Sequence, residues 1–174
     1  MRNLFDLIYE YQLLRGKQDH LEVPLDESER ARLVGMAQML LGDSHGESGK
    51  RGMPRVPMPT HVEFTQPGGF ESGEIKNASG SGLAIATPRP PIEGTRIVVR
   101  IEDTAHAVEY FFPCRVIWRR AAHAGSIAGN KSSAGMGLVF DGVPTRTSLF
   151  ADEDTGVWRR RLRLGDGHRN VNAA

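Results

Sequence analysis

Apolar positions follow a helical period near the N-terminus and a two-residue period from His61 onward. Leu4, Leu7, Tyr11 and Leu14 stand three or four residues apart, and Phe5 and Ile8 widen the stripe, which predicts a helix over residues 2–18. Pro24 interrupts the pattern. Asp26 and Glu29 then form a D-x-x-E start signal, in which the Asp side chain accepts from backbone N–H groups left unpaired in a first helical turn. A second helix is predicted from Glu27 to Leu41, with Leu33, Val34, Ala37, Leu40 and Leu41 on one side. Two helices with so short a connection predict a helical hairpin over residues 1–45.

Residues 46–59 are rich in Gly, Ser and Pro and carry the basic residues Lys50, Arg51 and Arg55, the composition of a linker or an ordered loop. After them the period changes. HVEF from His61, GEIKN from Gly73, SGLAIAT from Ser81, TRIVVRIED from Thr95, VEYFFPCRVIWRR from Val108 and GMGLVF from Gly135 alternate or are rich in β-branched and aromatic residues. Turn signals separate them, among them QPGG at 66–69 and PRPPIEG at 88–94. About six short strands so punctuated predict an antiparallel barrel or sandwich over residues 60–150. In residues 151–174, Asp152 or Asp154 is placed to cap a short helix that would set Val157, Trp158, Leu162 and Leu164 against the barrel and leave the arginines 159–161 and 163 solvated.

Composition narrows the class. With 174 residues, 39% of them hydrophobic and 25% charged, the chain holds one ordinary globular domain and a smaller addition rather than a disordered polymer. A formal net charge of +1 implies no attraction of the whole molecule to nucleic acid or anionic lipid, so an anion site must be local. One cysteine, Cys114, forms no internal disulfide and asks for no oxidising compartment. Asp6 and Glu10 interrupt the first apolar stretch, which is wrong for a signal-peptide core, and no run approaches the ~18 apolar residues of a membrane span. The expected location is the cytoplasm. The six histidines show no metal-ligand spacing, no metal or cofactor is expected, and no Ser/His/acid order suggests catalysis. Cys114 lies in an apolar run, as a buried inert thiol does.

Two short motifs carry the functional signal. Arg51-Gly-Met-Pro-Arg55 is an R-x-x-x-R, and Asn77-Ala-Ser79-Gly-Ser-Gly82 is an N-x-S-x-x-G. Either alone arises by chance. Here they stand in a fixed order, separated by 21 residues that hold one strand, a turn and part of a second. In this the chain resembles the PilZ domain family, whose hallmarks are R-x-x-x-R on a loop before a barrel and [D/N]-x-S-x-x-G after it. The likeness continues through Cys114–Trp118 and Gly135–Phe140, covering about residues 50–140 but not the N-terminal helices. It implies a six-stranded antiparallel PilZ-like β-barrel, so the expected fold is mainly β, with the helical hairpin read from the apolar period before it and the short helix after it.

The resemblance also implies a non-catalytic receptor for cyclic di-GMP, bound as a ligand, that couples occupancy to a conformational or partner-binding change in a signalling or motility pathway. Arg51 and Arg55 would hold guanine and phosphate, because an Arg fork matches guanine O6 and N7 and pairs equally well with phosphate oxygens. Asn77 and Ser79 would hold a guanine from the barrel face, Lys50 would assist at a phosphate, and Gly80 and Gly82 would permit a turn at positive φ and close approach to the ligand. Trp118 stays open between a guanine contact and a place in the core. Asn77 stands where the family often has Asp and lacks that residue's charged acceptor. The alternative is a PilZ-like adaptor that binds no nucleotide and acts through its N-terminal helices, whose heptad-like spacing allows a homodimer. Nucleic-acid binding through the C-terminal arginines is disfavoured, since 7% aromatic content offers few stacking platforms.

Overall fold

A computed structural model describes residues 3–41, 54–121, 134–151 and 158–160. Both predicted helices form. Helix α1 spans Leu4–Asp19, with Asn3 as its N-cap accepting from the Asp6 amide at 2.6 Å. Helix α2 spans Glu27–Leu41 and starts on the predicted box: the Glu29 amide donates to Asp26 Oδ1 at 2.7 Å and the Asp26 amide to Glu29 Oε2 at 3.1 Å. Lys17 of α1 joins Glu29 of α2 at 2.6 Å, tying the hairpin together.

The buried face of α2 is narrower than its sequence suggests. Met36 and Leu40 are buried and Leu33 and Ala37 pack partly on the core, whereas Val34 and Leu41 are exposed. Val34 and Leu41 are seven residues apart on one line of the helix, and that line lies a single residue round from the contact stripe.

Eight strands follow among the described residues: β1 (Val56–Gln66), β2 (Gly69–Ser79), β3 (Gly82–Ala86), β4 (Arg96–Asp103), β5 (Val108–Arg120), β6 (Gly135–Phe140), β7 (Thr145–Ala151) and β8 (Trp158–Arg160). Their order is β4-β1-β2-β3-β6-β5-β7-β8, and a further antiparallel pairing of β4 with β5 closes the first six into a barrel. Inside it, Phe64, Ile75, Ile85, Val99, Ile101, Tyr110, Phe112, Val116 and Met136 form one cluster with Phe5, Ile8 and Tyr9 of α1. Tyr110 receives the helix: its ring centroid lies 5.8 Å from Tyr9 and 6.3 Å from Phe5, and its hydroxyl donates to Asp6 Oδ1 at 2.7 Å.

Three elements differ from the sequence reading. Strand β1 begins at Val56, inside the stretch whose composition reads as linker, because Val56 and Pro57 pair with Ala78 and Asn77 ahead of a bulge. Strand β7 is additional. With 13 residues against the six of β6, β5 outruns its neighbour, and β7 covers the remaining edge by pairing Thr145–Ser148 with Phe111–Val108. The short C-terminal helix is not what the described residues form: Trp158–Arg160 pair with β7 as a strand, Ala151 opposite Trp158. The proposed caps Asp152 and Asp154 and the contacts Leu162 and Leu164 lie outside the described residues.

Candidate functional site

Strand pairing assembles the motif residues. Val56 pairs with Ala78 and Pro57 with Asn77, so continuing the register by one residue sets Arg55 opposite Ser79. On the other edge of β2, Ser79 pairs with Gly82, Gly82 with Val139 of β6, and Val139 with Arg115 of β5. One row across the barrel therefore reads Arg55, Ser79, Gly82, Val139, Arg115. The next row reads Pro57, Asn77, Ala84, Gly137, Trp118.

Both rows lie on the outside of the barrel, and two bulges put them there. Ile75 and Ala78 are both buried although three residues apart, because Lys76 is an extra residue opposite β3 and reverses the alternation. Asn77 and Ser79 are thereby turned outward together. In β5 the extra residue is Ile117. Cys114 and Val116 point into the core, and strict alternation would send Trp118 after them. The bulge instead sets Trp118 opposite Gly137, whose neighbours Met136 and Leu138 are core residues. Trp118 is half-buried, its indole covering Gly137 so closely that a Cβ there would stand 1.9 Å from Nε1. Trp118 therefore lies on the outer face of the barrel and not in its core.

Between the rows lies a small cleft of about 70 Å³ lined by Arg55, Ser79, Gly82, Ile117 and Val139, with backbone from β3 and β6. Arg55 is exposed at its rim and has no ion-pair partner among the described residues. Ser79 is buried beneath it. Its hydroxyl donates to the Gly82 carbonyl at 3.3 Å and meets Ser81 Oγ at 3.2 Å, and both serines line the cleft with Arg55. Lys50 and Arg51 lie outside the described residues.

Gly82 is required for a different reason from the one expected. Neither Gly80 nor Gly82 is among the positive-φ glycines, which in the described residues are Gly68, Gly69, Gly94 and Gly142. Close approach is what selects glycine: a Cβ on Gly82 would lie 1.9 Å from the Leu138 carbonyl oxygen. A two-residue loop, Gly80-Ser81, joins β2 to β3, and the Phe140 amide holds it from β6 by donating to the Ser81 carbonyl at 3.1 Å.

The surrounding electrostatics are tied down by pairs. Arg115, at the far end of the first row, and Arg96 of β4 both meet Asp141 Oδ2, at 3.3 and 3.1 Å. Partial burial pushes the Asp141 carboxyl upward, but hydrogen bonds and charge from Arg96 and then Arg115 outweigh it and hold the group below the usual Asp range. Cys114 is buried, and burial pushes its thiol up, which disfavours the thiolate that nucleophilic chemistry needs.

Sequence reasoning missed Ile117 and Val139 as lining residues of the cleft. Ile117 had no usable signal, since its exposure depends on the bulge.

The described residues define a small closed antiparallel barrel with Arg55 beside a Ser-Gly hairpin. The family model described as PilZ domain matches residues 49–150, more than half of the chain, and the chain belongs to that family. The matched span takes in both motifs, all six barrel strands and most of β7, and leaves α1 and α2 outside. A search of curated proteins gives no match. No helix among the described residues is long and apolar enough to cross a membrane.

Proposed function

We propose that the protein is a receptor for cyclic di-GMP, holding the dinucleotide at the outer-face cleft and passing occupancy to a partner without covalent chemistry. The observation that carries this reading is the cleft that Arg55 and Ser79 line together, with Asn77 and Trp118 in the adjoining row of paired residues. Cyclic di-GMP offers guanine edges, guanine faces and phosphates. Arg55 supplies a fork for O6 and N7 or for phosphate oxygens, Ser79 a hydroxyl and Asn77 an amide for a purine edge. Trp118 adds an aromatic face, and Ile117 and Val139 an apolar floor. Arg51 and Lys50 complete the grip from the segment that precedes β1. PilZ membership supports a binding role rather than a catalytic one, and the cytoplasm is the compartment in which such a receptor acts.

Isothermal titration of the full chain tests this. Saturable heat with cyclic di-GMP is expected, and Arg51→Ala and Arg55→Ala should each weaken binding by about 1–3 kcal/mol, the worth of a lost bidentate contact. Absence of heat at high micromolar ligand would overturn the reading.

A further inference from the structure

The loop at the heart of the cleft is held from behind by the N-terminal helix. Gln12 of α1 is 6% exposed, and its Nε2 donates to the carbonyl oxygen of Gly80 at 2.5 Å, a buried bond between residues 68 apart in sequence. Gly80 is the first residue of the loop between Ser79 and Gly82. Ser79, Ser81 and Gly82 line the cleft, and Gly80 does not. The loop thus has one side toward the cleft and another toward α1. Its two carbonyls are claimed by different elements: Ser81 by the Phe140 amide of β6, Gly80 by Gln12.

Such a bond transmits position because neither end is free to relax. A buried carbonyl deprived of its partner is costly, so Gly80 follows the amide that satisfies it. The amide is carried by a helix seated at several points. Asp6 receives the Tyr110 hydroxyl at 2.7 Å and Arg146 at 3.1 Å, Tyr9 packs on Tyr110, and Gly16 passes so close to Val143 that a Cβ there would stand 3.0 Å from its Cγ2. A shift of α1 on the barrel therefore moves Gly80, and with it the hydroxyl and backbone of the hairpin that faces Arg55.

We infer that Gln12 is a positioning residue for the nucleotide site, fixing the Ser79–Gly82 hairpin through Gly80 and linking occupancy of the cleft to the docking of α1. The inference rests on the reading of the cleft as a cyclic di-GMP site. Linkage makes the effect reciprocal: if docked α1 favours the binding geometry of the loop, bound ligand favours docked α1 by the same factor. Because α1 is tied to α2 through Lys17 and Glu29, the helical hairpin outside the PilZ match becomes the element that reads the site.

The test uses the full chain and two variants, Gln12→Met, of similar length without a donor, and Gln12→Glu, which presents only acceptors at neutral pH. Arg15→Ala, which removes an exposed ion pair within α1, is the control. In ligand-free protein both Gln12 variants should shift the Gly80 carbonyl-carbon and Ser81 amide resonances. In calorimetry with cyclic di-GMP they should raise Kd roughly 5- to 30-fold, a range typical of coupling between sites, while Arg15→Ala leaves Kd within about twofold. In the wild type, ligand should slow amide exchange along α1. An unchanged Kd in Gln12→Met alongside wild-type binding overturns the inference and leaves the receptor intact. Equal weakening by Arg15→Ala overturns it as a general effect of altering the helix. Wild type that binds no cyclic di-GMP overturns both. If the Gln12 variants do not fold, the wild type decides alone: ligand that binds without slowing exchange in α1 overturns the link.

Discussion

Trp118 and Gly137 face each other across the β5–β6 pair, and the indole occupies the space that any side chain at 137 would need. The contact joins the outer face of the barrel to an aromatic ring that sits in the same row as Asn77.

Gly137→Ala should therefore displace the indole rather than be absorbed by it. A Cβ would come within 1.9 Å of Nε1 and 2.3 Å of Cε2, far inside contact distance. Overpacking of this kind costs about 1–3 kcal/mol. In a Trp158→Phe background, which leaves Trp118 as the single tryptophan of the two in the chain, the variant should show red-shifted emission and a lower urea midpoint. Unchanged emission would mean that the indole lies elsewhere.

Arg100 gathers three carboxylates, from Glu63 of β1, Glu102 of β4 and Glu109 of β5. Glu109 is fully buried, while Arg100 keeps a fifth of its side chain exposed. Arg100→Met should destabilise the barrel by about 3–5 kcal/mol, since it takes the cation from a carboxylate that cannot reach water. The double variant Arg100→Met with Glu109→Leu should recover much of that loss. Denaturation midpoints of the three proteins check it, and a double variant no better than the single one would show that the pair is not the source.

Asp141 gives a pH dependence of known sign. Its carboxyl is held below its unfolded range by Arg96 and Arg115, so its stabilising effect is fully present above the ordinary Asp pKa and is lost as pH falls through the lower folded value. The arginines are largely exposed, which limits the effect to at most about 1 kcal/mol after solvent screening. Wild type should be more stable than Asp141→Asn at neutral pH. The gap should hold to about pH 5 and close in stronger acid, and raised salt should shrink it. A gap that widens on acidification would contradict the pairing.

Much of the fold was legible because its signals are local. Leu4, Leu7, Tyr11 and Leu14 mark α1, Asp26 and Glu29 mark the start of α2, and alternation with turn residues marks the barrel strands. The parts that were not legible depend on neighbours distant in the chain. Val34 and Leu41 belong to the apolar run of α2, yet only the docked helix shows that their line faces away. Thr145–Ala151 forms a strand because β5 leaves an edge uncovered. Trp158–Arg160, read as helical, pairs instead with the strand that results.

The candidate site divides in the same way. From the sequence alone came the residue types, their order and the spacing between Arg55 and Asn77, since all of these are properties of a linear chain. Tertiary structure decided which of them meet. Strand pairing brought Arg55 and Ser79 to one cleft, the extra residues Lys76 and Ile117 turned Asn77 and Trp118 to the outer face, and the packing of α1 brought Gln12 to Gly80. A bulge reverses a two-residue period without leaving a mark in composition, and a hydrogen bond between residues 68 apart exists only once a helix is seated on a closed barrel.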